Sequence, residues 1–131
     1  PASGKGTLAP MLATACRCAN VGVGNLLRAE ILRGTELGCM ASVHMEAGTL
    51  LPTPAIAEMI QRRLSERDAT ENGWLLDGFP RTADQARAML DLGLVPDAVI
   101  VLDRPDDLAA AFMLGRMTDS TTGATYHPLF S

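Results

Sequence analysis

Pro1-Ala2-Ser3-Gly4-Lys5-Gly6-Thr7 is the stretch of this chain best suited to chemistry: a lysine bracketed by small residues, followed by a hydroxyl. Leu8, Met11 and Leu12 come next at the spacing of a helix face, so a glycine-rich loop feeds a helix N-terminus. Such a loop points several backbone N–H groups at one place, where the helix dipole also favours negative charge. In the phosphate loop G-x-x-x-x-G-K-[ST], the lysine reaches the β- and γ-phosphates of a nucleotide and the hydroxyl serves Mg2+. The match here is partial. The leading glycine would fall before Pro1, and Gly6 separates Lys5 from Thr7. An ordinary turn and helix cap is the competing reading. A strand should precede a phosphate loop, so the chain is expected to begin inside the motif.

Composition bounds the class. With 131 residues, 47% hydrophobic and 20% charged, the chain reads as one globular domain or part of one rather than a disordered segment. A net charge of −4 argues against a nucleic-acid surface but allows a local cluster of cations around a small anion. No apolar run approaches membrane-spanning length and no signal peptide is visible, so neither nucleic acid nor membrane is expected as a partner. Cys16, Cys18 and Cys39 are odd in number and lack a CxxC pair, which suggests reduced, buried or idle thiols before a metal site.

The elements that must position the loop can be read in order. A first helix is expected from Lys5 to about Ala15, with Pro10 inside it, where a proline costs roughly 3 kcal/mol and tends to kink. Val21-Gly22-Val23-Gly24 reads as a short strand or turn. Asn25 is a candidate N-cap for Leu26–Leu32, and Thr35 for Glu36–Ala47, closed by Gly48. Thr53-Pro54 opens a helix whose apolar face is Ile56, Met59, Ile60 and Leu64. Trp74-Leu75-Leu76 is a short buried-strand run ending at Asp77, and a carboxylate at such a strand end lies where open α/β sheets bind ligands. Thr82 can cap a helix reaching Asp91. Ala98–Asp103 is the most regular strand pattern in the sequence, and Pro105 starts a helix through Leu108, Phe112 and Leu114. Strand, helix and strand in alternation imply a parallel sheet with helices on its faces. The tail, turning around Thr122-Gly123, reads as the first half of a β-rich flap.

Taken together, PASGKGT, NLLRAEI (Asn25–Ile31), NGWLLDGFPRT (Asn72–Thr82) and LGRMTDSTTGATYH (Leu114–His127) resemble the adenylate kinase family of nucleoside monophosphate kinases. The segments occur in the family's order, and DGFPR is the most specific of them. The wording is most similar to plastid-type members. The resemblance implies an α/β phosphate-loop kinase fold: a core of residues 1–21 and 52–114, a helical AMP-binding insertion over 22–51, and an incomplete lid over 115–131. It implies Mg2+-dependent phosphoryl transfer from ATP to AMP giving two ADP, a monomer, and a cytoplasmic or plastid-stromal location.

Carried over residue by residue, Ala2, Ser3, Gly4, Lys5, Gly6 and Thr7 would hold the ATP phosphates, with Lys5, Arg81 and Arg116 as the charge-neutralising catalytic cations. Arg28 and Arg81 would clamp the AMP phosphate, a task that suits the planar guanidinium fork. Gln85 would hydrogen-bond the AMP base, with Val23, Thr49, Leu50, Leu51 and Gly78 lining its pocket. Thr125 and Tyr126 would lie near ATP in the lid, and Thr7 and Asp77 would serve Mg2+, the latter through water. Outside this context Arg28 would read as a solvated charge, Asp77 as a turn cap, Gln85 as an exposed helical glutamine and Arg116 as a helix C-terminal cation. His44 and His127 read as structural or surface residues.

Several positions depart from the family pattern. Phe112 stands where an arginine usually packs on the ATP base, and Met117 replaces the second residue of an Arg-Arg pair. Val23, Asn25, Leu8 and Pro10 are also unusual. The chain stops before the lid's remaining arginines, and the 131 residues alone are expected to have little or no kinase activity. Two alternatives stand beside the enzyme: a degenerate kinase-like module that binds nucleotide without turnover, and a kinase for UMP or CMP.

Overall fold

The computed structural model describes residues 2–119 and 125–128. The turn expected around Thr122-Gly123 lies outside the described residues. The chain divides into two compact units, Leu8–Ala98 and a smaller one made of Pro1–Thr7 with Val99–Ser131.

The larger unit is organised around two parallel strands, β1 (Ala19–Gly22) and β2 (Trp74–Asp77). They pair in register from Ala19 opposite Trp74 to Gly22 opposite Asp77, so both end at one edge. The first helix, α1 (Lys5–Cys16), begins in the smaller unit and enters the larger one at Leu8. It buries the small side chains of Ala9 and Ala13, one turn apart. Pro10 does not interrupt it, although proline removes one N–H from the ladder; the Thr14 hydroxyl donates to the Pro10 carbonyl at 2.9 Å.

Between the strands lies a helical hairpin, α2 (Val23–Arg33) and α3 (Glu36–Glu46). Asn25 does not cap α2: the helix starts directly after β1, with Gly22 at the N-cap. Gly34 ends α2 in the left-handed conformation, and the Thr35 hydroxyl caps α3 by accepting from the Gly38 N–H at 3.0 Å. Gly38 lets the helices touch, since a Cβ there would lie 2.2 Å from the Glu30 carbonyl oxygen. The Glu30 carboxylate, buried at 3% exposure, accepts from Thr35 Oγ1 at 2.7 Å, Arg33 at 2.5 Å and Arg62 at 2.8 Å. One carboxylate thus joins α2, the cap of α3 and the helix that follows. A buried carboxylate is tolerable only with donors of this kind.

That helix, α4 (Thr53–Leu64), buries Ile56, Ala57, Met59, Ile60 and Leu64, the stripe expected from the spacing. A short α5 (Arg67–Asn72) follows, and the guanidinium of Arg63 holds Asp68 through two hydrogen bonds of 2.9 and 2.7 Å. After β2 comes α6 (Ala83–Asp91), capped by Thr82 as expected. The core gathers Val21, Val23, Leu27, Ala41, Leu51, Ile60, Phe79 and Met89. Cys16 and Cys39 are exposed rather than buried, and all the cysteines are free.

The strand expected at Ala98–Asp103 is not found: residues 98–103 form no strand, and Val99 and Val101, in the smaller unit, are 78% and 82% exposed. An apolar, β-branched run becomes a strand only when a neighbouring strand accepts its backbone hydrogen bonds; among the described residues none pairs with it. Beyond Pro105, α7 (Asp106–Leu114) leads to an antiparallel pair, β3 (Met117–Thr118) and β4 (Thr125–Tyr126), the start of the expected flap. His127 is buried, with its Nε2 3.3 Å from the Ala111 carbonyl and its ring 5.0 Å from that of Phe112. It fills the space beside Gly115, where a Cβ would meet it at 2.2 Å. No described helix is long and apolar enough to cross a membrane.

Candidate functional site

The smaller unit carries the loop that opens the sequence. Ala2 and Gly4 both have positive φ, 57° and 91°, and the Thr7 N–H donates back to the Gly4 carbonyl at 3.0 Å. Gly4 adopts this conformation freely, whereas the left-handed region costs an alanine roughly 1–2 kcal/mol. Left-handed residues alternating with others turn successive N–H groups to one side, the geometry of an anion-binding nest. α1 begins at Lys5 with no acidic residue in its first turn, so nothing on the helix neutralises its positive end. The Lys5 ammonium donates to Ser3 Oγ at 3.1 Å across the loop. Ser3 and Lys5 line a cavity of about 430 Å³ together with Asp103, Arg104 and Asp106. Arg116, just past α7, is exposed and does not line that cavity. Tyr126 is exposed on β4, which pairs Thr125 with Thr118.

In the larger unit the expected residues collect where β1 and β2 end. Gly22 and Asp77 face each other in the register, so Val23 and Gly78 leave the sheet at one edge. Gly78 has φ 89°, and a Cβ on it would touch Val23 Cβ at 3.8 Å and an Arg81 terminal nitrogen at 3.5 Å. Arg81 is anchored there, its Nε donating to the Gly78 carbonyl at 2.8 Å. Arg28 lies on α2 with Nη2 on Asn25 Oδ1 at 2.5 Å, its guanidinium over Gly24. Asp77 is half-buried at the strand end.

Gln85 is not an exposed helical glutamine. It is 2% exposed, its Oε1 accepts the Arg81 N–H at 2.7 Å, and its own N–H donates to Thr82 Oγ1 at 3.2 Å. It therefore fixes the backbone of Arg81 while closing the start of α6, a variant of the reciprocal cap. Thr49 is exposed and its hydroxyl pairs with His44 Nδ1 at 2.8 Å. Leu50 is 45% exposed, whereas Leu51 turns into the core.

Each unit by itself offers donors for an anion: a glycine-rich nest on a helix N-terminus in the smaller one, and arginines beside the C-terminal ends of the parallel strands in the larger one. Comparison with known proteins agrees: residues 1–124 match the adenylate kinase family. The chain belongs to the adenylate kinase family. The chloroplastic adenylate kinase of Zea mays is 46% identical over the whole chain, which spans 59% of that protein's length. A probable chloroplastic adenylate kinase 2 of Oryza sativa is 44% identical, with 45% of its length covered, and an adenylate kinase of Desulforamulus reducens 40% identical, with 63% covered. The chain thus spans about half to two thirds of the length of these relatives.

Adenylate kinase family membership gives the α/β phosphate-loop architecture plainly, with seven helices and a two-stranded parallel sheet among the described residues. Thr7 in the smaller unit and Asp77 in the larger one each offer oxygen, the donor type that Mg2+ takes. The residue that sequence reasoning missed is Arg104. Its Nη1 donates to the Ala2 carbonyl at 2.6 Å and its guanidinium carbon stands 4.1 Å from the Phe112 ring centroid. The one available signal was an arginine eight residues ahead of a position where the family pattern expects a cation and finds Phe112.

Proposed function

We propose that this chain carries the phosphate loop and the AMP clamp of an ATP:AMP phosphotransferase, acting with Mg2+ in a plastid or in the cytoplasm. The observation that carries the reading is the loop Ala2–Thr7, with positive φ at Ala2 and Gly4, on the N-terminus of a helix that has no acidic first turn. In this reaction an AMP phosphate oxygen attacks the γ-phosphorus of ATP, the bond to the β–γ bridging oxygen breaks, and ADP leaves. The attacking oxygen is already anionic, so no general base is required, and catalysis consists of positioning and charge neutralisation of a loose transition state.

In this reading, backbone N–H groups of Ala2–Thr7 and the Lys5 ammonium hold the β- and γ-phosphates, with Arg116, Thr125 and Tyr126 on the ATP side. Arg81, anchored through Nε, offers its two terminal nitrogens to the AMP phosphate, and Arg28 adds a second fork. Gln85 keeps Arg81 in place and Thr49, Leu50, Leu51, Val23 and Gly78 shape the AMP side. Thr7 and, through water, Asp77 would hold Mg2+, which would supply neutralisation of phosphate charge. Phe112 and Met117, standing where arginines are expected, favour a second reading: a module that binds nucleotide with little turnover.

Isothermal titration with ATP and with AMP, beside an ADP-forming assay, tests both readings. Lys5→Ala is expected to weaken ATP binding and leave AMP binding intact, and Arg81→Ala the reverse. Each loss should be about tenfold or more, the scale of one charge-assisted hydrogen bond. Turnover would select the enzyme over the non-catalytic module, binding alone fits either reading of these 131 residues, and absence of binding by the unaltered chain would overturn both.

A further inference from the structure

We propose that Arg104 is a positioning residue for the triphosphate side of this site, holding the phosphate loop through Ala2 and using Phe112 as its platform. The inference rests on the ATP reading above and goes beyond it, since Arg104 belongs to no part of the motif. Arg104, Ala2 and Phe112 all lie in the smaller unit, so the geometry is internal to it. One guanidinium nitrogen donates to the Ala2 carbonyl at 2.6 Å while the plane's carbon stands 4.1 Å from the Phe112 centroid.

Both contacts act on the same group. The Ala2 carbonyl belongs to a peptide whose alanine is held at φ 57°, a conformation that alanine leaves unless something retains it. Fixing that peptide fixes the direction of the N–H groups that follow it in the loop. The phenyl ring attracts the cation to its face and restricts where the fork can point. Only a planar guanidinium can present a face to the ring and an in-plane N–H to a carbonyl at once; an ammonium offers a point charge without that fork. Lys5 and Arg104 also line the same cavity, so the cation that steadies the loop stands beside the loop's own lysine.

The test is titration of the full 131-residue chain and its variants with ATP, inorganic tripolyphosphate and AMP. Arg104→Lys keeps the charge and the solubility of the surface, and Arg104→Ala removes both contacts. Both are expected to weaken ATP and tripolyphosphate by about tenfold, the scale of losing a charged hydrogen bond, and to leave AMP affinity unchanged. In a Phe112→Leu background the Arg104→Lys effect should shrink, because the platform is already gone. Lysine restoring full ATP and tripolyphosphate affinity would overturn the proposal, as would an equal loss for AMP, which marks a general loss of structure. Loss for ATP with tripolyphosphate binding retained would also overturn it, placing Arg104 at the base instead of the loop. If the unaltered chain binds tripolyphosphate and ATP but Arg104 is silent, this inference alone fails. If it binds none of the ligands, the functional reading fails with it.

Discussion

Arg63 and Asp68 show what a single pair contributes away from the site. The hydrogen bonds from Arg63, and then its charge, hold the Asp68 carboxyl below the usual carboxylate range against a smaller desolvation effect, while the same bonds raise Arg63. The folded carboxyl is therefore the stronger acid. Its stabilising contribution is complete above the ordinary carboxylate pKa of about 3.9 and is lost as pH falls through the lower folded value. Asp68→Asn should accordingly flatten the acid side of the stability profile, with little change in slope near neutrality. Urea midpoints followed from pH 7 to below the carboxylate range check this; parallel profiles for the two proteins would contradict it. None of this pairing was legible in the sequence, where Arg63 is one of several charged residues beside the apolar stripe of α4. Its side chain is 19% exposed because α5, unforeseen in the sequence, brings Asp68 against it. Gln85 carries the same lesson: its type was readable, but its burial and its grip on Arg81 depend on how the chain turns before α6.

At the scale of elements, the α2–α3 hairpin is where spacing and close approach meet. Thr35 as a cap and Gly34 as a stop are local signals, visible in the sequence because backbone N–H groups and left-handed turns demand those residue types. The contact at Gly38 is not local. Its missing side chain matters only because the Glu30 carbonyl lies where a Cβ would go. Gly38→Ala should lower the stability of the chain by about 1–3 kcal/mol through overpacking against backbone. Gly24→Ala, in the same hairpin, meets only the Arg28 guanidinium at 3.5 Å and should instead gain up to about 1 kcal/mol of helix propensity. Urea denaturation of both variants settles the sign, and a loss of equal size at both positions would refute the close-contact account. The segment 98–103 shows the opposite failure. Its apolar pattern is regular, yet a strand is a property of a pair, and no pairing partner appears among the described residues.

For the molecule as a whole, net charge and local charge make opposite demands. With a formal charge of −4, the chain should repel a nucleotide at long range, and salt would then strengthen binding by screening that repulsion. The proposed phosphate loop with Lys5 predicts the contrary. Attraction at the site outweighs the distant field, so ATP affinity should fall as the Debye length shrinks from about 30 Å at 0.01 M salt to about 8 Å at 0.15 M. Titrations at those two ionic strengths decide it, and affinity rising with salt would count against a cationic phosphate site.

Residue types and short spacings determined the glycine-rich loop, the caps at Thr35 and Thr82, the stripe on α4 and the strand ending at Asp77, because each depends on interactions within one or two turns of chain, and the motifs they form carried the family. Tertiary structure alone decided that Glu30 joins α2, α3 and α4, that Gln85 is an internal brace, and that Arg104 reaches Ala2 and Phe112. Glu30 to Arg62 and Arg104 to Ala2 link residues far apart in the chain, and the burial of Gln85, whose partners are near in sequence, depends on how α6 packs, so no local periodicity records them.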